Sequence, residues 1–572
     1  MSSEIAGVIL IFLFTLLLAW PLGKLIAKIF KGEKNITDFM KPVERFIFRT
    51  SGINPDENMD WKQFLKAMLT INMLWLVYAM LLLVFQGRLP LNPDGNPGQS
   101  PDLAFNTAIS FLVNCNLQHY SGETGLTYFT QLFVITFLQF VSAATGIACL
   151  IALFNGLKEK TTDHLGNFWN YLVKSITRIL LPLSVILAII LVFNGTPSGY
   201  EGKDNIVTLQ GDSVQVSRGP AAGMIAIKQL GTNGGGWFGV NSSHPLENPT
   251  YITNAFETIA ILLIPIALVF SLGFYINKKK LSRVIFAVMT FFFLVFCSIT
   301  IYYETKGNPA INKLGISQTT GSMEGKEVRL GAAATAFWSV ATTSTSNGSV
   351  NGMHDSLTPM SGAVVILDMM INALYGGVGV GLLNYFIFII IAVFISGLMV
   401  GRTPEFMGHK VEAREVKIAA LITLLSAFLI KGFTALAVYM VAHHPDIAWT
   451  VKPSVWLNNP SYHGFSEMLY EFTSANANNG SGFEGLADNT IFWNVTTGIV
   501  LLLGRFLPII GPLAIIGLLA RKKFIPDSPG TLRTDSYTFG GMTLVVILIV
   551  TALSYLPALA LGPIAEYFSL YN

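Results

Sequence analysis

Four short stretches of the chain share one chemistry. They are Val113-Asn114-Cys115-Asn116-Leu117-Gln118, Gln229-Leu-Gly-Thr232-Asn233-Gly234, Thr343-Ser-Thr-Ser346-Asn347-Gly348 and Ala475-Asn-Ala-Asn478-Asn479-Gly480. Each is polar, carries no charge, and is built of small residues, Asn and Gly. Backbone carbonyls in such loops can replace the water around a dehydrated cation, as in a selectivity filter. Glycine lets those carbonyls turn in backbone conformations closed to other residues. Each stretch closes a short amphipathic segment and precedes a long apolar one, so four loops can be set around one axis. The chain is therefore a candidate ion-conducting protein with fourfold pseudo-symmetry inside one polypeptide. Aligning Asn116-Leu117-Gln118 with Thr232-Asn233-Gly234, Ser346-Asn347-Gly348 and Asn478-Asn479-Gly480 puts Gln118 where the others have Gly. The first quadrant is expected to be shaped differently. Ordinary Asn/Gly turns are the plain alternative, but four of them, each between a short helix and a spanning one, argue against it.

The elements that must hold these loops are apolar. The 572 residues have a mean hydropathy of +0.56 and only 12% charge, against about 25% in soluble domains. Ten runs approach or exceed the length needed to cross a bilayer: 7–30, 66–86, 128–156, 170–195, 252–276, 283–303, 364–401, 416–441, 490–520 and 540–563. The fold class expected is an all-α polytopic membrane protein in contact with lipid. The net charge of +3 gives no argument for nucleic acid. Cys115, Cys149 and Cys297 form no CxxC pair, so no zinc site or disulfide framework is indicated. Glu4 precedes the first run while Lys24, Lys28 and Lys31 follow it, the reverse of a cleavable signal. Lys and Arg gather in 24–66, 158–178, 278–283, 402–417 and 521–533, which places those loops in the cytoplasm and the four polar stretches outside. Both termini then lie outside.

Removing the first and last runs leaves eight, which pair as helix, outer loop, helix. Short runs at 102–114, 218–230, 331–343 and 463–475 read as re-entrant pore helices, tolerable at membrane depth only where they line a cavity or are buried in protein. Their C-terminal ends would turn partial negative charge to the axis. The expected units are 1–60 (first helix and cytoplasmic loop), 61–160, 161–280, 281–412 and 413–525 (four pore repeats), and 526–572 (last helix).

Arg505 lies inside an apolar run, where a charge faces a pathway by default. Below the filter it would repel a cation heading straight inward. Lys431 is instead expected to snorkel or pair. Gly376, Gly377 and Gly379, with Gly381, interrupt 364–401 and suggest an unwound break, a gate or tunnel wall, or else close helix packing. Asp368 is an intramembrane carboxylate that could hold a cation or pair with a polar neighbour. His119, His244 and His354 each follow a polar stretch and read as struts. His354-Asp355 has no nucleophile motif beside it, which leaves no catalytic residues to name. Neither a P-loop nor an Asp-Lys-Thr-Gly string occurs, so the chain is not expected to be an enzyme on its own.

Longer strings carry a resemblance over essentially the whole chain. Gln229-Leu-Gly-Thr-Asn-Gly-Gly-Gly-Trp-Phe238, Asn241-Ser-Ser-His-Pro-Leu-Glu-Asn-Pro-Thr250, Val350-Asn-Gly-Met-His-Asp-Ser356 and Gly401-Arg-Thr-Pro-Glu405 resemble the potassium-binding A subunits of Kdp ATPases. The resemblance implies four helix–pore-helix–helix repeats with one extra helix at each end. It implies K+ as the transported ion, with no transition metal and no other cofactor, and a bacterial plasma (inner) membrane location. It also implies a P-type ATPase subunit (KdpB), a single-span subunit (KdpC) and a small subunit (KdpF) as partners. Ions from the filter would then leave sideways through an intramembrane tunnel to the ATPase subunit. The chain departs from the family pattern in its first filter, usually richer in Thr, and in its third, where Asn347 replaces a usual Cys. An autonomous potassium channel or ion-coupled symporter of the same superfamily is the other reading the repeats allow.

Overall fold

The computed structural model describes residues 2–401, 403–447, 451–526 and 533–571; Arg402 of the Gly401-to-Glu405 string lies outside them. Among the described residues, ten helices are long and apolar enough to cross a membrane, from Ser3–Lys31 to Tyr537–Leu570. Strand structure among the described residues is confined to two two-stranded hairpins and isolated bridges.

Eight of the ten spans pair around the four polar loops, and burial separates them into two rings. In each repeat the span after the loop is the inner one. Tyr128–Lys158 has 89% of its apolar stretch buried and Tyr251–Tyr275 has 83%, against 22% for Trp61–Arg88, the span that opens the first repeat. Inner helices are apolar on every face because protein surrounds them; outer helices turn Leu and Phe to lipid. Each inner helix starts at a threonine. The Thr127, Thr250 and Thr490 hydroxyls accept from the backbone N–H groups of Thr130, Thr253 and Trp493, which satisfies donors the first turn cannot pair. Thr358 instead hydrogen-bonds the Glu304 carboxylate and the Ser361 hydroxyl.

The four short runs are helices at Pro101–Leu112, Ala221–Leu230, Ala332–Ser344 and Ser461–Ala477. Their C-terminal halves are buried in protein, and every residue of Ala332–Ser344 is buried. The extra first helix packs along Tyr251–Tyr275, close enough that a Cβ on Gly23 would stand 2.6 Å from the Ala267 carbonyl. Small residues permit such crossings in lipid, where packing replaces the hydrophobic driving force.

The apolar run 364–401 is two helices. Pro359–Ile371 ends at Asn372 in the left-handed conformation (φ 46°), and Val380–Val400 begins after an unwound stretch. Gly376 in that stretch and Gly381 in the first turn of the second helix approach so closely that a Cβ on Gly376 would lie 2.0 Å from the Gly381 Cα. Glycine is required at both positions, which is why the break is legible as a glycine run.

Candidate filter and the pathway beneath it

Each pore helix unwinds in the same way. A non-glycine residue takes a left-handed conformation: Asn114 (φ 62°), Thr232 (47°), Ser346 (50°) and Asn478 (51°). The next N–H, from Cys115, Asn233, Asn347 or Asn479, donates back to the carbonyl of Ser110, Lys228, Thr342 or Ser474 at 2.9–3.0 Å. This is a helix C-cap that uses carbonyls the helix leaves unpaired. A second left-handed residue follows: Asn116 (59°), Gly234 (75°), Gly348 (80°) and Gly480 (103°). The structural register therefore aligns Asn114-Cys115-Asn116, not Asn116-Leu117-Gln118, with Thr232-Asn233-Gly234. Val113 caps the C-terminal end of the helix that stops at Leu112. Gln118 lies beyond the equivalent glycine position; its amide accepts from Gly236 N (2.5 Å) and donates to Gly236 O (3.2 Å), stapling the first loop to the second. The first quadrant is indeed different, but through Asn116.

The loops close into a ring. A Cβ on Gly234 would lie 1.9 Å from the Asn347 carbonyl oxygen, on Gly348 2.2 Å from that of Asn479, and on Gly480 1.8 Å from that of Cys115. Each glycine thus abuts the next loop. At the remaining seam the Asn116 side chain reaches across and its Nδ2 donates to Gly234 O (2.6 Å). Asn side chains hold the ring from behind. Asn479 Nδ2 donates to Thr342 O (2.9 Å), Asn347 Nδ2 to Lys228 O (3.3 Å), and Asn233 Nδ2 to Asn114 Oδ1 (2.6 Å), each to the preceding repeat. Asn347 is such a strut. Cys115 occupies the equivalent place in the first loop and is fully buried.

What remains is a set of buried acceptors. The carbonyls of Cys115, Asn233, Asn347 and Asn479 accept no hydrogen bond among the described residues, although these residues are 0% exposed. Buried carbonyls are almost always paired, and a group of four without donors is an arrangement that can take a cation. Outside the ring lies a cavity of about 590 Å3 lined by Asn116, Gln118, Gly348, Gly480, Glu484 and Asp488. His119 is buried between Asn494 Oδ1 (2.7 Å) and Glu471 Oε1 (3.0 Å). His354 pairs with the Tyr470 hydroxyl (2.8 Å), away from Asp355. The His244 ring stacks on Phe238 at 3.9 Å, and burial holds its pKa below the usual value. All three are struts.

On the other side of the ring sits the helix break. Gly376 N donates to Ser344 O (2.8 Å) and Val378 N to Thr232 Oγ1 (2.9 Å), so the break hangs from the second and third loops. Arg505 is buried beside it. Its Nη2 donates to Ser142 O (3.4 Å), and a Cβ on Gly146 would meet both Arg505 Nη2 (3.3 Å) and the Val378 carbonyl (2.2 Å). Among the described residues Arg505 has no acidic partner. Gly377 and Gly379 belong to the same contact: a Cβ on Gly379 would strike the Gly146 carbonyl, and one on Gly377 would lie 3.7 Å from Arg505 Nη1. Asp368 Oδ2 accepts from Thr343 (2.8 Å) and Ser344 (2.6 Å), fastening the helix before the break to the third pore helix. Lys431 is exposed on an outer span, away from the ring.

Sequence reasoning missed two buried ion pairs that brace the loops. Lys228, in the second pore helix, pairs with Glu247, and Lys326 pairs with Glu304 at 2.9 Å; all four side chains are 0% exposed. The available signal was a lone Lys inside the apolar second pore helix, with Glu247 inside the Asn241-to-Thr250 string.

Residues 9–568 match the family model described as the potassium-transporting ATPase A subunit. A relative from Flavobacterium johnsoniae, named as a potassium-transporting ATPase potassium-binding subunit, is 63% identical over 100% of both chains. Another so named, from Alicyclobacillus acidocaldarius, is 48% identical over 99% of this chain and 100% of its own. Among solved structures, the potassium transporter TrkH from Vibrio parahaemolyticus matches with a TM-score of 0.50 and 14% identity, over 78% of this chain and 84% of that one. That likeness concerns the fold.

Proposed function

The chain belongs to the family of potassium-transporting ATPase A subunits, and from that membership we propose that its ring of four loops is the K+ filter of an ATP-driven uptake complex. The chain is the potassium-binding subunit, and K+ is its cargo. One observation carries the assignment of the filter: four buried carbonyls, at Cys115, Asn233, Asn347 and Asn479, without donors among the described residues. Carbonyl oxygens suit a hard, weakly hydrated cation. The Asn struts and abutting glycines fix their spacing.

K+ collects in the outer cavity, loses water in the ring, and meets the break and Arg505 beneath. The uncompensated guanidinium closes the direct route inward. A lateral path is supported by a second cavity, of about 50 Å3, between the broken helix, the outer span of the fourth repeat and the last helix. Asn372, Asn384, Thr423 and Ser426 give it polar walls at membrane depth. This path would deliver the ion to a P-type ATPase subunit (KdpB), assembled with KdpC and KdpF. The chain itself hydrolyses no ATP. Its termini and filter mouth face outward from a bacterial plasma membrane.

The test is ATPase activity of the purified complex against K+ and Na+ at low concentration. Stimulation by K+ alone is expected. Equal stimulation by both ions would defeat the filter assignment, and purification of the chain without an ATPase subunit would defeat the pump.

A further inference from the structure

Apart from the filter, one cluster of side chains among the described residues has the chemistry of a metal-binding site. Asp355 follows the third filter loop, and His463 and Glu467 lie one turn apart at the outer end of the fourth pore helix. One ligand atom from each falls within 4.8 Å of the others. His463 Nε2 lies 2.9 Å from Asp355 Oδ1, and its Nδ1 lies 2.9 Å from Glu566 Oε1. Glu467 is 0% exposed and Asp355 7%. Glu467 Oε1 accepts from the backbone and side chain of Asn459, but Oε2 is buried with no hydrogen-bond partner. A carboxylate oxygen desolvated without a partner is costly. The pocket is also shaped: a Cβ on Gly485 would lie 2.6 Å from Glu467 Oε1 and 2.8 Å from Asp355 Oδ2.

We propose that Asp355, His463 and Glu467 bind a divalent transition-metal ion of the zinc class on the outer face of the protein. One imidazole and two carboxylates are the mixed nitrogen and oxygen set that such ions take, at about 2.0–2.2 Å, with water in the open position. His463 Nε2 and one carboxylate oxygen each from Asp355 and Glu467 are the donors, and rotation of the two carboxylates closes the 4.8 Å spread. Glu566 accepts from Nδ1–H and so fixes the ring with Nε2 toward the ion, the usual role of a carboxylate behind a ligating histidine. A divalent charge also offsets carboxylates that a single imidazolium cannot balance. The ion would tie the third filter loop to the fourth pore helix and, through Glu566, to the C-terminal helix. It would also brace the outer cavity, because His354 N and Asp355 N both donate to Glu484, which lines it. The sequence reading of K+ as the only metal ion followed from cysteine spacing and family resemblance. Neither reports on ligands drawn from distant segments without a cysteine.

The experiment uses the assembled complex, free of affinity tags, stripped with chelator and titrated with Zn2+ by calorimetry and metal analysis. One zinc per chain is expected. His463→Gln and Glu467→Gln should each weaken binding at least about tenfold, and Glu566→Gln by about 10–100-fold. A His443→Gln/His444→Gln double variant should bind as wild type does. X-ray absorption of the zinc-loaded wild type should show one imidazole and otherwise oxygen ligands, a readout independent of whether the variants assemble. Failure of wild type to retain zinc, unchanged affinity in His463→Gln, or a spectrum with sulfur or two imidazoles would each overturn the proposal.

Discussion

Gly480→Ala tests the ring most directly. Gly480 has φ 103°, and its Cβ would stand 1.8 Å from the Cys115 carbonyl, one of the four unpaired acceptors. Two costs follow, and both fall on the ion-ready loop. A left-handed conformation costs an L-residue about 1–2 kcal/mol, and the Cys115 carbonyl must also retreat by roughly an ångström. A loop that relaxes away from the filter geometry escapes both. The strain alone therefore lowers K+ affinity by roughly 5–30-fold, at 1.4 kcal/mol per factor of ten, and the displaced carbonyl adds to this. Asn116→Ala is the control. That position already carries a Cβ in a left-handed conformation, so no carbonyl is struck; the variant loses the bond to Gly234 O, worth about 1 kcal/mol, and the tolerance of Asn for that conformation. The assay is the K+ concentration for half-maximal ATPase activity of the intact complex. The reasoning fails if Gly480→Ala stays within about twofold of wild type, or if Asn116→Ala is the more damaged of the two.

Three further outcomes are expected. Arg505→Met should uncouple ATP turnover from uptake or admit passive K+ flux in proteoliposomes, while Arg505→Lys should stay closer to wild type because charge matters there more than the guanidinium fork; equal leak in both would make Arg505 structural. Lys228→Met strands Glu247 in the interior and should destabilise the chain by about 3–5 kcal/mol, seen as a lower thermal midpoint, with Lys228→Met/Glu247→Leu recovering part of the loss. Asn479→Ala removes the strut to Thr342 O and should raise half-saturating K+ by several-fold, for about 1 kcal/mol; an unchanged value would mean the loop holds its shape without it.

The loops were legible because their composition is so unlike the apolar runs around them, and the spans because bilayer thickness fixes helix length. Gly376 to Gly381 marked the break for the same reason that the backbone needs glycine there. The register of the first loop was not legible. Residue identity pointed to Gln118, but Asn tolerates the left-handed conformation, so Asn116 fills the glycine place unseen. The Asn struts were hidden for another reason. Asn479 looks like a filter side chain in sequence, yet its partner Thr342 comes from another repeat, and no local pattern encodes that contact. Arg505 stood out as a charge among apolar residues, whereas Lys326 and Glu304, in different elements with no shared motif, gave no sign of meeting.

The last seam of the ring has a consequence for biogenesis. Gly480 meets Cys115, so the final loop to leave the ribosome completes a contact with the first. Until the fourth repeat is inserted, the earlier loops form an open arc that lacks one wall and two of its seams. A nascent or prematurely terminated chain thus holds an unclosed ring. The ring closes in one step, when the chain's last quarter docks against its first.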